Sequence, residues 1–137
     1  MNSLLLFHAA TTFALVGLIW TIQLVHYPLL AQVGRENFPE YHARHCRQIT
    51  PLVAPLMLAE GATAGLLVVW GARDPWLLGS FFFIALSWLS TWRLQIPLHA
   101  HLARGFDAAA QHRLVATNWL RTAAWTARGI ILLCIMA

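Results

Sequence analysis

Apolar residues fall into four long runs, at residues 4–30, 52–70, 76–97 and 114–136. About 20 apolar residues suffice to cross the hydrocarbon core of a bilayer, so each run predicts a transmembrane helix. The expected fold is all-α: an integral membrane four-helix bundle that uses residues 1–137 as a single domain.

Polar positions recur inside these runs at helical spacing. His8, Thr12, Gln23 and His26 share one stripe of the first run with Ile19, and Asn118, Arg121, Trp125 and Arg128 form another in the fourth. Hydrocarbon offers no hydrogen bonds, so both stripes are expected to face the bundle. Between the first two runs, Phe38, Tyr41, His42, His45, Cys46 and Ile49 take one helical face, with Glu36, Glu40, Arg44, Arg47 and Gln48 opposite. This pattern predicts a separate amphipathic interfacial helix between spans one and two, capped by Asn37 with Glu40 three residues on. Its apolar face would aim His42 and His45 at the bundle.

The second span is expected to begin at Pro51, which places Glu60 roughly 13 Å inside it. A carboxylate at that depth needs a partner. Arg121 enters the fourth span equally far, so a Glu60–Arg121 interaction is predicted, while Arg128 has no evident charged partner. Gly61, Ala62, Ala64 and Gly65 offer a small-residue face for close helix contact, and Trp70 and Trp76 flank a short turn as an interfacial belt.

Composition sharpens the class. With 59% hydrophobic and 10% charged residues there is too little polar surface for a water-soluble fold. All nine basic residues are arginine; five of them, Arg35, Arg44, Arg47, Arg104 and Arg113, lie in the connections after spans one and three. The positive-inside rule puts those connections in the cytoplasm of a bacterial-type inner membrane and both termini outside, on the periplasmic side. The net positive charge then reflects topology and contact with anionic lipid, and no nucleic-acid partner is expected. The first run is not expected to be a cleaved signal peptide, since no positive charge precedes it and its apolar body is too long. Cys46 and Cys134 fall at opposite membrane faces, so no disulfide is expected between them.

Topology gathers six of the seven histidines, His26, His42, His45, His99, His101 and His112, at one membrane face. Imidazole is the commonest metal ligand, and helical bundles build metal sites from histidine and carboxylate on facing helices. His26, His42, His45 and His99 are the candidate ligands of a transition metal (iron, copper or zinc) or a haem. Glu60, Asn118 and Arg121 are the candidate catalytic groups, and Trp92, Gln95 and Trp119 would line a slot for the cofactor. The same residues admit a plainer account. Boundary histidines hydrogen-bond headgroups and helix ends, Glu60 and Arg121 can be a structural pair, and tryptophans anchor and pack. No Gly-rich phosphate loop, nucleophile elbow, CxxC pair or HExxH motif is present.

The fourth-span motif Asn118-Trp119-Leu-Arg121-Thr-Ala-Ala-Trp125-Thr-Ala-Arg128, following Gln95-Ile-Pro97-Leu-His99, resembles small four-helix bacterial membrane proteins. More distantly it is similar to the anthrone-oxygenase-like family in size, helix count, the proline near the end of span three and the Trp/Arg-bearing last span. That resemblance implies oxidation of polycyclic aromatic anthrones by oxygen. Two features depart from it: His99 and His101 stand where asparagine is expected, and the Tyr41-His42-x-x-His45 helix has no counterpart. Both departures favour a metal-dependent variant.

The function expected from the chain is thus a membrane-embedded oxidoreductase or oxygenase-like protein acting on a small lipophilic substrate, aromatic or quinone-like. Glu60 would be a ligand or proton acceptor; Asn118 and Arg121 would steady a developing oxyanion. A metal-ion or small-solute carrier, working as a homo-oligomer, is the alternative from another class. It would use His8, Thr12 and Arg128 to complete a polar path. A non-catalytic accessory subunit is the third.

Overall fold

The computed structural model describes residues 3–137 and shows an all-α fold of four long helices: α1 (Ser3–Leu30), α2 (Phe38–Val69), α3 (Pro75–Leu102) and α4 (Ala108–Met136). Each is long and apolar enough to cross a bilayer, which makes this a multi-pass membrane protein. The spans drawn from the hydropathy pattern sit inside these helices, save that the second was drawn one residue past the end of α2. The observed helices run further, because their ends carry polar residues that leave the hydrocarbon without leaving the helix.

The largest difference is in α2. The amphipathic segment with His42 and His45 is not a separate interfacial helix but the first third of one 32-residue helix, which passes through Pro51 and Pro55. At 1.5 Å per residue this helix is about 48 Å long, well over the roughly 30 Å of a hydrocarbon core. Proline forbids a hydrogen bond to the carbonyl four residues back, but it does not forbid helical φ, so in a packed bundle the helix goes on. The sidedness expected of this segment is present: Phe38, His42 and His45 are buried, whereas Glu36, Glu40, Arg44, Arg47 and Gln48 are exposed. Asn37 precedes the helix without a side-chain capping bond.

Two other prolines shape the helices differently. In α1 the turn Ile22–His26 is widened to π geometry, as is Thr91–Gln95 in α3. Each widened turn ends two residues before a proline, Pro28 and Pro97. The N–H of Tyr27 reaches back five residues to Ile22, and that of Ile96 to Thr91. The widened turn re-pairs backbone groups around the donor that proline lacks. Both turns carry polar side chains into the bundle, Gln23 and Gln95 among them.

The connections follow local rules. After α2, Gly71 adopts φ +88°, and the N–H of Ala72 bonds the Leu67 carbonyl, closing the helix with a Schellman turn. Asp74 caps α3 through the Leu77 N–H, and Asp107 caps α4 through those of Ala109 and Ala110. Asp107 also accepts from His101; that bond, then those from Ala110 and Ala109, hold its carboxyl below the usual carboxylate range.

The helices pack unevenly. α1 lies against α2 and α4, α3 packs mainly on α4, and α2 meets α3 only sparingly. Gly129 allows the α1–α4 approach, since a Cβ there would meet Phe13 and Val16 at 3.4 Å. Of the four small residues on α2, Gly61 faces the Trp88 ring and Ala64 is buried, while Ala62 and Gly65 are exposed. Tyr27, Leu30, Phe38, Leu102 and Leu114 close the core at the end where α1 and α3 finish.

Candidate metal centre

At that end, the α2 segment brings His42 and Cys46 onto one face, one turn apart. Opposite them stands His99, on the part of α3 that follows its widened turn. His42 Nε2 lies 3.0 Å from His99 Nδ1, and Cys46 Sγ lies 3.8 Å from each. These three side chains can together hold a metal ion. A tetrahedral zinc with bonds of about 2.0–2.1 Å to nitrogen and 2.3 Å to sulfur separates such donors by about 3.3 and 3.6 Å. The observed spacings match to within half an ångström on either side.

The outer groups orient the donors. The Tyr27 hydroxyl sits 3.0 Å from His99 Nε2 and 3.5 Å from Gln95 Oε1. The tautomer that fits this network has His99 Nε2–H donating to Tyr27, which leaves the Nδ1 lone pair free toward His42 and Cys46. Gln95 in turn donates to Thr117 at 3.0 Å, tying the arrangement to α4.

Beside the donors opens a cavity of about 500 Å³, lined by His42, His45, Cys46, Tyr27, Gln95 and Arg121 at one side and by apolar residues such as Val53, Met57 and Ile96 elsewhere. Ala54, Met57, Thr91 and Ile96 also border an apolar groove between α2 and α3, which continues past Leu58, Trp88 and Trp92. The cavity therefore adjoins the α2–α3 boundary, where the two helices meet only sparingly.

Of the four histidines proposed as ligands, His42 and His99 meet at bonding distance. His26 and His45 do not join them. They stack on each other, ring centroids 4.1 Å apart, and His26 Nε2 is buried without a partner. Neither ring belongs to the group of donors formed by His42, Cys46 and His99, although His45 lines the same cavity. His101 pairs with Asp107 at the surface, and His112 is exposed. Gln95 and Arg121 line the cavity; Trp92 borders only the lipid-facing groove. Trp119 is 45% exposed and packs edge-on against Trp20. Asn118 donates to Gln23, which itself donates to the Val115 carbonyl.

Glu60 belongs to a different place. Its partner is Arg128, with Nε to Oε1 at 3.0 Å, both side chains fully buried, and Arg121 is not involved. Thr12 and Trp125 also donate to Glu60, and Arg128 bonds Ser80 and His8 as well. His8 continues the chain to Thr63. The depth estimate failed because it assumed that spans two and four enter the membrane level with Pro51 and Leu114, and the helices are offset along their axes. Glu60 in fact lies level with Arg128, seven residues or about two helical turns further along α4 than Arg121.

The sequence reading missed Cys46 and Tyr27. His42-x-x-x-Cys46 was the signal for the first, since i and i+4 share a helix face. Tyr27 gave none, because a boundary tyrosine is ordinary in membrane helices.

Compared with protein-family models, curated proteins and solved structures, the chain has no match in any of the three.

Proposed function

We propose that the protein is a membrane-embedded, metal-dependent oxidoreductase that acts on a small lipophilic substrate entering from the bilayer. The observation that carries this reading is the convergence of His42, Cys46 and His99 at the wall of an apolar cavity. Two imidazoles and a thiol suit zinc, copper or iron, and three donors leave a coordination position open toward the cavity. Three donors meeting on one point favour a single ion over a haem. A redox-active ion held there would supply the electron transfer. The protein's own part is to hold His99 through Tyr27, to keep bulk water from the apolar cavity and to admit the substrate between α2 and α3. An aromatic or quinone-like body fits a cavity of about 500 Å³ with this lining. The arginines around the same helix ends favour a cytoplasmic position for the centre. Glu60, held by Arg128, has no part in it. A carrier would need the groups around Glu60 to release one another, and each is bonded in place.

Metal analysis of detergent-purified protein, followed by cobalt(II) substitution, tests the reading. One ion per chain and a near-ultraviolet thiolate-to-cobalt band are expected, the band lost in Cys46→Ser and the ion lost in His99→Ala. Protein that takes up neither cobalt nor zinc ends the proposal.

A further inference from the structure

We infer that the ligand of this cavity is an organic anion, an aromatic or alkyl body with one carboxylate or phenolate, and that Arg121 is its counter-charge. This deepens the reading above and rests on it only for the cavity being the place where substrate sits.

Arg121 is 5% exposed and lines the cavity. It stands thirteen residues after Ala108, about 20 Å along α4 and near the middle of that helix. Among the described residues no hydrogen bond or ion pair reaches its side chain, and its Nε is buried without a partner. The contact that steadies the guanidinium is the face of Trp125, 5.3 Å from the ring centroid. The other buried guanidinium is its opposite. Arg128 is answered by the Glu60 carboxylate, the Ser80 hydroxyl and the His8 ring.

A guanidinium in hydrocarbon without a counter-charge is strongly unfavourable, and such groups mark ligand paths when they occur. In this fold the missing negative charge has a place to sit, since the space beside Arg121 is open. The remaining lining sets the rest of the ligand. Ile49, Val53, Met57 and Ile96 accept only an apolar body. The depth of Arg121 excludes a lipid phosphate, whose headgroup stays at the membrane surface, and selects an acid that can leave the interface.

The test compares 2-naphthoate with the neutral 2-naphthalenemethanol by calorimetric titration of the full chain in non-ionic detergent. It is run after chelator treatment, so that a carboxylate binding a metal cannot imitate the effect. Wild-type protein is expected to bind the acid about 10- to 100-fold more tightly than the alcohol. Arg121→Gln should abolish that preference and leave the alcohol unchanged, Arg121→Lys should keep part of it, and Arg93→Gln on the exposed face should keep all of it. Equal binding of the two compounds by wild-type protein overturns the inference, whether or not the Arg121 variants fold. So does an acid preference that survives in Arg121→Gln. Cobalt uptake by the same preparations reports on the metal centre separately: a preference for acid without cobalt binding keeps the anion site and removes the metal reading, and cobalt binding without preference does the reverse.

Discussion

Two arginines sit on one stripe of α4, and their surroundings give them opposite energetics. Arg128 and Glu60 form a fully buried pair whose remaining polar atoms are occupied by Thr12, Ser80, His8 and Trp125. Removing one member of such a pair leaves an unpaired charge in a low dielectric and costs about 3–5 kcal/mol, whereas replacing both by apolar residues is often close to neutral. Arg128→Met should therefore lower the thermal midpoint sharply, and the double variant Arg128→Met/Glu60→Leu should recover most of the loss. Cobalt binding at His42, Cys46 and His99 should be unaffected in the double variant, because Glu60 does not reach that centre. At the centre itself, Tyr27→Phe removes the acceptor of His99 Nε2–H and should weaken metal affinity about 10-fold while all three donors remain. At this scale the sequence identified the right kind of residue more readily than the right partner. Histidines at a helix boundary are conspicuous, so His42 and His99 stood out. Which arginine met Glu60 depended on about two helical turns of axial register, and hydropathy does not fix where one span's ends stand against another's.

Element type was legible almost throughout, because 20-residue apolar runs have few alternatives in a membrane. Element ends were not. Pro51 reads as a start signal, yet α2 passes through it, since tertiary contacts outweigh the one hydrogen bond proline removes. The π turns before Pro28 and Pro97 left no trace in the hydrophobic pattern, although they set the rotation at which His26, Tyr27 and His99 leave their helices. Nor was capping well marked: Asn37, the cap the sequence singled out, makes no side-chain capping bond. Asp107 was an unremarkable loop carboxylate in the sequence, yet it caps α4 while binding His101. Its carboxyl is held below the ordinary 3.8, so the folded state binds its proton less readily than the unfolded chain does. The stability it contributes is complete above that ordinary value and is lost as pH falls through the lower folded value. The difference in thermal midpoint between wild type and Asp107→Asn should stay constant from neutral pH to about pH 4 and shrink below it. A difference that instead grew on acidification would mean that the carboxylate is not stabilised by this cap.

Across the whole molecule the two ends of the bundle are built differently. Around Glu60 and Arg128 the four helices are tied by buried hydrogen bonds from α1, α2, α3 and α4. Beside the His42–His99 contact, α2 and α3 otherwise meet only sparingly, and the cavity there meets the apolar groove at Ala54, Met57 and Ile96. No periodicity along a single helix could announce that cavity, because it depends on which pairs of helices touch. The arrangement suits a site that must take a ligand from the membrane without opening the fold. The cavity lining reaches Ala54, which it shares with the groove, and Ala103 at the end of α3, so two approaches can be compared. Ala54→Phe narrows the first and Ala103→Phe the second, and neither residue is among the metal donors. If ligand enters from the bilayer, Ala54→Phe should slow association of 2-naphthoate about tenfold, as expected for a gated approach, with the cobalt spectrum unchanged. Ala103→Phe should leave the association rate where it was. The reverse pattern would place the entrance at the water-facing end, and the sparse contact between α2 and α3 would then serve packing alone.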